Sequence, residues 1–305
     1  ACRLRNLLYT VANGYSMFDQ SGNVAGITSF ADGALFSKDY LLPYLSNRKY
    51  DEAELAPALK TIAEIVRLLR THGVATMFIL APDKTQLYPS EPTRFVSTFW
   101  RRHDIVPQYE FAKLLAKYGI PAFDACSYLK SRQTEFTETM FPHAGVRWNA
   151  LASSLTAEEA LRRVNVVQPV PFKFRINPFM GVRQSPVAEY GDDDLGVLQN
   201  LPFNPFLARN VRYVPIFKHA AFEPNPGSVL IWGDSFLAHI WFSLLRGGMF
   251  KGDKFLVCDK RSVSASELES VSPDLKLVLF VYQPPHTYCL ANKFGSMLRD
   301  LLSSL

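Results

Sequence analysis

Between Glu52 and Pro82 the chain reads EAELAPALKTIAEIVRLLRTHGVATMFILAP, and this stretch decides the fold class. Leu55, Leu59, Ile62, Ile65, Val66 and Leu69 recur at mostly three- and four-residue intervals, which lines one face of a helix. Gly73 then supplies the residue best suited to a helix C-terminus. From Val74 to Ala81 every position but Thr76 is apolar, and Pro82 closes the run. So short an unbroken apolar run reads as a strand buried on both faces. An amphipathic helix leading into such a strand predicts a parallel sheet covered by helices.

The unit recurs along the chain. A helical pattern from Val106 to Tyr118 ends at Gly119, and Ile120 to Ala125 reads as a strand with Asp124 near its carboxyl end. A helix is expected from Asn149 to Val164, a strand from Ser228 to Trp232 and a helix from Leu237 to Leu245. Strands at Lys254 to Cys258 and Leu275 to Val281 and a closing helix from Leu290 to Leu302 complete the pattern. The alternation predicts an α/β fold with a doubly wound, mostly parallel sheet flanked by helices, its ligands beyond the carboxyl ends of the strands. Between Gln168 and Pro226 the periodicity dissolves: nine of the twenty prolines fall there, interleaved with Phe172, Phe174, Phe179, Phe203, Phe206 and Tyr213. Linkers are poor in aromatics, so this is read as a loop-rich insertion, at about 168–226, packed onto the core of a single domain spanning 1–305.

Composition narrows the function classes. Apolar residues make up 48% of the 305 and charged ones 20%, as in an ordered globular protein. The net charge of +5 comes from 33 basic and 28 acidic residues spread along the chain, without the basic face of a nucleic-acid binder. Cys2, Cys126, Cys258 and Cys289 stand far apart. No His, Cys, Asp or Glu grouping has metal-ligand spacing and no Gly-rich phosphate loop is present, so neither a metal nor a cofactor is expected. No apolar run reaches the roughly 18 to 20 residues that span a bilayer.

The chemistry centres on Ser228-Val-Leu-Ile-Trp-Gly-Asp-Ser-Phe236. A serine a few residues past a buried strand and just before an apolar helix is lifted out of the sheet, where helix N-terminal N–H groups are available to an oxyanion. The competing reading is that Asp234 or Ser235 merely caps the helix.

This segment resembles the first sequence block of SGNH hydrolases, and the wider chain is similar to polysaccharide O-acetyltransferases of the periplasmic alginate O-acetyltransferase type. Their early Gly-(Lys/Asn)-(Asp/Glu)-Gly-x-Leu-Phe segment is matched loosely by Phe30-Ala-Asp32-Gly33-Ala-Leu35-Phe36, and Pro-x-Lys-x-x-x-Tyr-Pro is matched by Pro82-Asp-Lys84-Thr-Gln-Leu-Tyr88-Pro89. Their Asp-x-His-Trp or Gly-x-His-Trp box falls on Gly145-Val-Arg147-Trp148-Asn149. The resemblance implies a serine acyl-enzyme at Ser235, with Asp234 in the catalytic block and the backbone of Gly233 and Ser235 holding the oxyanion. It implies a polysaccharide substrate, a membrane-bound O-acyltransferase as acyl supplier, and a periplasmic or otherwise extracytoplasmic location, open to membrane anchoring in the full-length form.

The sequence departs from the pattern at the base: Arg147 stands where the family has its catalytic histidine, and a guanidinium stays protonated at neutral pH. Three histidines are alternatives, ranked His143, then His286 beyond the Leu275 to Val281 strand, then His239 one turn after Ser235. Taken at face value, Arg147 binds a carboxylate bidentately and makes the chain a non-catalytic glycan-binding subunit. A carbohydrate esterase is the remaining alternative. Lys84, Tyr88, Trp148, Asn149 and His286 are expected to line the substrate cleft beside Arg147. Asp124 is read either as a supporting partner or as a helix cap.

Overall fold

The computed structural model describes residues 15–18, 24–29, 35–37, 52–82, 84–87, 107–167, 172–186, 211–259 and 272–283. A three-stranded antiparallel sheet comes first, formed by β1 (Tyr15–Phe18), β2 (Val24–Ser29) and β3 (Leu35–Ser37). The helix predicted from the opening stretch is α1 (Glu52–Thr71), and the strand after it is β4 (Ala75–Leu80). Gly73 and Gly119 each take a positive φ, 74° and 71°, and let the chain reverse from helix into strand. At each turn an amide reaches back into the preceding helix: Val74 N–H to Leu69 O at 2.9 Å, Ile120 N–H to Leu115 O at 3.0 Å.

The remaining elements are α2 (Lys84–Leu87), α3 (Pro107–Lys117), β5 (Ala122–Asp124), α4 (Ala125–Arg132), α5 (Ala150–Val167), β6 (Phe179–Gln184), β7 (Tyr213–Phe217), β8 (Ser228–Gly233), α6 (Leu237–Arg246), β9 (Phe255–Asp259) and β10 (Leu275–Tyr282). Five strands form the central sheet in the order β5-β4-β10-β8-β9, every adjacent pair parallel. Their carboxyl ends therefore lie along one edge, as the alternation predicted.

Side-chain alternation along these strands builds two cores. Ala75, Met77, Ile79, Val229, Ile231, Leu277, Leu279 and Val281 face one way and pack with Leu129 of α4, Leu151 and Leu155 of α5 and Ile240 and Leu244 of α6. Phe78, Leu80, Leu230, Trp232, Val278 and Phe280 face the other way and meet the six apolar residues of α1 together with Phe111 and Leu115 of α3. A strand apolar at nearly every position is thus explained by helices on both faces. Burying each large side chain contributes roughly 1.5–3 kcal/mol relative to exposure.

Several elements depart from the expectations. The segment 125–132 is helix α4, capped by Asp124, whose Oδ1 accepts from Cys126 N–H at 3.0 Å and Ser127 N–H at 3.2 Å, so of the two readings of Asp124 the cap is the one realised. Within the insertion, β6 and β7 form a two-stranded antiparallel sheet. It is tied to α5 by Phe179 N–H donating to Glu158 Oε2 at 2.7 Å. Phe172 meets Phe174 edge to face, and Phe174 packs on Phe250 in the core. Phe203, Phe206 and the closing helix expected from Leu290 to Leu302 lie outside the described residues.

Candidate functional site

The turn after β8 is held from three directions. Gly233 pairs with Val281 of β10 and Asp259 of β9, and a Cβ built on it would lie 1.8 Å from the Val281 carbonyl oxygen. The missing side chain lets β10 come this close. Asp234, fully buried, donates its N–H to that same carbonyl at 3.0 Å. Its Oδ1 accepts from Phe236 N–H at 3.0 Å and its Oδ2 from Gln283 N–H, just past β10, at 2.7 Å. Both carboxylate oxygens of Asp234 accept from backbone amides, so this residue shapes the turn.

Ser235 follows at the carboxyl edge with 7% of its surface open. The N-cap of α6 is Phe236, which makes no side-chain capping bond, so the serine hydroxyl is not consumed as a cap. Among the described residues neither the Ser235 hydroxyl nor its amide forms a hydrogen bond. A hydroxyl and an N–H lie together on one residue at the sheet edge, the pairing a nucleophile and an oxyanion donor need.

The segment from Met140 to Asn149 docks against this turn. Trp148 is fully buried, its Nε1–H donates to Phe236 O at 3.2 Å, and the two rings meet edge to face with centroids 5.6 Å apart. Arg147 and Ser235 are therefore each one residue from a contacting pair. Lys84, at the start of α2 just past β4, is 4% exposed, and its Nζ donates to the carbonyls of Pro142 (2.5 Å), His143 (2.9 Å) and Gly145 (2.9 Å). Asn149, also fully buried, caps α5: its Oδ1 accepts from Leu151 and Ala152 N–H at 3.0 and 3.3 Å, and its Nδ2 donates to Thr139 O at 2.6 Å.

Lys84, Trp148 and Asn149 are buried and hydrogen-bond to backbone partners, and so frame the loop. His143 and Arg147 remain half-buried on that loop. His239 is 3% exposed within α6. Tyr88 and His286 lie outside the described residues. No group of His, Cys, Asp or Glu fit to hold a metal occurs among the described residues, and no helix among them is long and apolar enough to cross a membrane. Sequence reasoning missed Gln283, whose only signal was a polar residue directly after a buried strand.

A family model described as the SGNH hydrolase-like domain of the acetyltransferase AlgX matches residues 31–185, just over half of the chain. The chain belongs to this AlgX acetyltransferase family. The matched segment contains Lys84 and the 140–149 loop and ends before Ser235. Solved structures extend the likeness of fold across nearly the whole length. The O-acetyltransferase domain of Pseudomonas putida AlgJ superposes with a TM-score of 0.60 at 14% identity, covering 92% of this chain and 99% of its own. Pseudomonas aeruginosa AlgX gives 0.55 at 14%, covering 90% of this chain and 65% of its own. Bacillus cereus PatB1 gives 0.51 at 13%, covering 82% and 94%. No curated protein sequence matches the chain.

Proposed function

We propose that the chain is an O-acetyltransferase that modifies an exopolysaccharide or cell-wall glycan through an acetyl ester on Ser235. The observation that carries this reading is the Ser235 hydroxyl at the carboxyl edge of the sheet, not spent on capping α6 and set beside the loop bearing His143 and Arg147. In the first half-reaction the Ser235 oxygen attacks the acetyl carbonyl of the donor, its proton passes to the His143 imidazole and the Ser235 N–H holds the oxyanion; the bond from the acetyl carbon to the donor's leaving group then breaks, and that group departs with the proton from His143. In the second, a glycan hydroxyl gives its proton to His143 as its oxygen bonds to the acetyl carbon, the bond from that carbon to the Ser235 oxygen breaks, and the serine oxygen takes the proton back, leaving the base free. Lys84 supports this by fixing the backbone on either side of His143. The family further suggests a periplasmic setting and a membrane-bound O-acyltransferase as acetyl supplier.

Incubation with p-nitrophenyl acetate followed by mass spectrometry tests the reading. A single acetyl on Ser235, lost in Ser235→Ala and strongly reduced in His143→Ala, is the expected result; no adduct on the intact protein counts against it. Hydrolysis compared with transfer to oligosaccharide acceptors separates a transferase from an esterase.

Arg147 favours a second reading, a non-catalytic glycan-binding subunit in which its guanidinium grips a sugar carboxylate. In that case the native chain carries no acetyl and Arg147→His creates the missing activity.

A further inference from the structure

The two-stranded sheet of β6 and β7 turns one face to the core, where Phe179, Val182 and Phe217 pack. Gly181 pairs with Ile216 and Arg183 with Val214, so alternation places Arg183, Val214 and Ile216 on the opposite face. Between Phe179 and Gly181 the pairing shifts by one residue, and Met180 is the residue left over, beside the partner of Ile216. Met180 is 63% exposed and Ile216 43%, so two large apolar side chains stand open to solvent on the outward side.

Cations flank them. Arg183 is exposed beside Val214, and Lys218, exposed one residue past β7, donates its N–H to Pro178 O at 2.9 Å and so continues the pairing onto the Ile216 face. Residues 172–186 and 211–222 hold Lys173, Arg175, Arg183, Arg212 and Lys218 and no Asp or Glu. Glu158 pairs with Arg162 and Glu223 with Arg175, while among the described residues neither Arg183 nor Lys218 is ion-paired. Met180 and Ile216 gain from leaving water only for an apolar medium, and the cations beside them select one that carries negative charge. A second copy of the chain would set Arg183 and Lys218 against the same cations. A sugar polymer answers the cations and offers little apolar surface to Met180 and Ile216. An anionic phospholipid leaflet answers both, with phosphates for the cations and the acyl boundary for the apolar side chains.

We propose that the outward face of β6 and β7 docks on a bilayer containing anionic phospholipid. Met180 and Ile216 enter the headgroup boundary, and Arg183 and Lys218 bind lipid phosphates. The contact is peripheral and reversible, since so few side chains lie on the surface without spanning it. It stands apart from the acetyl-Ser235 reading, because none of these residues belongs to that site.

Sedimentation of the full chain with vesicles tests this, using phosphatidylcholine with and without phosphatidylglycerol. The double variants Met180→Asp with Ile216→Asp and Arg183→Glu with Lys218→Glu change exposed side chains only, and circular dichroism verifies that both fold. The wild type is expected to bind the anionic vesicles and to be released by salt. Binding is expected to weaken at least about tenfold for each double variant, and equally for the wild type on neutral vesicles. A wild type that stays in the supernatant overturns the proposal, and so does either double variant binding as well as the wild type. Two further outcomes reassign the face and overturn the lipid assignment. One is a dimer without vesicle binding, abolished by the aspartate pair. The other is retention on an acidic polysaccharide without vesicle binding, abolished by the glutamate pair.

Discussion

Trp148 and Phe236, 88 positions apart in the chain, meet through an indole N–H donated to a main-chain carbonyl at 3.2 Å and an edge-to-face ring contact. Arg147 precedes the first and Ser235 precedes the second, so this one contact fixes how the loop stands against the turn. Both rings are completely buried.

Trp148→Phe removes the donor and part of the ring, leaving the Phe236 carbonyl without this partner and a void in the core. The expected loss is about 2 kcal/mol, from one buried hydrogen bond and a small cavity. Urea unfolding measures it. A loss below about 0.5 kcal/mol, the range of neutral surface changes, means that the contact does not bind loop to turn.

How far the sequence discloses this arrangement depends on the kind of signal. Helix α1 and strand β4 were legible because burial of one face imposes a period of 3.6 on the helix and burial of both faces makes the strand a nearly continuous apolar run, and Gly73 and Gly119 marked helix ends that require positive φ. Helix α4 was missed because only Ala125, Cys126 and Leu129 are buried in it, too few to set a period. The antiparallel pair β6 and β7 was missed because its burial does not alternate and Pro215 stands inside β7. In the site, Ser235 was legible by position. The backbone bonds of Asn149, Trp148 and Lys84 were not legible, since a capping Asn or a carbonyl-binding Lys is spelled like one that meets a ligand. What separates them is burial, a property of the assembled chain.

Gly233→Ala is expected not to fold. Its Cβ would lie 1.8 Å from the Val281 carbonyl oxygen, a backbone atom of the central strand that cannot step aside. The cost exceeds about 4 kcal/mol, in the range of severe core lesions. Gly252→Ala is the control: its nearest neighbour is the end of the Leu245 side chain at 3.4 Å, and a change within about 0.5 kcal/mol is expected. Soluble yield and circular dichroism of the two variants compare them directly.

Tyr213, at the start of β7, is 5% exposed. Burial pushes its phenol above the ordinary value of 10.0, with hydrogen bonds from Thr139 acting in the opposite sense. The folded chain therefore keeps this proton at a pH where the unfolded chain has begun to release it. Its contribution is complete below the unfolded value and is lost as pH rises through about 10 and above. Tyr128 is raised by burial in the same direction, opposed by Arg132. Urea midpoints should fall between about pH 9 and 11, and less steeply in Tyr213→Phe. Equal slopes in the two proteins refute this.

The Lys84 ammonium is the joint between β4 and the loop, and its replacement tests whether loop position governs the serine. Three donors on one nitrogen meet three carbonyls of one short loop. Lys84→Met keeps the apolar stem and removes all three bonds, for an expected loss of about 3 kcal/mol at roughly 1 kcal/mol each. Lys84→Arg restores the charge but presents its donors in a flat, rigid fork that cannot converge on carbonyls gathered around a point, so rescue is expected to be partial at best. Stability alone does not identify a positioning role. Under conditions where circular dichroism shows both variants folded, acetylation of Ser235 should slow more than tenfold and its pH profile should change, because His143 is no longer held in place. A folded Lys84→Met protein that acetylates Ser235 with the wild-type pH profile shows that the clamp serves the fold alone.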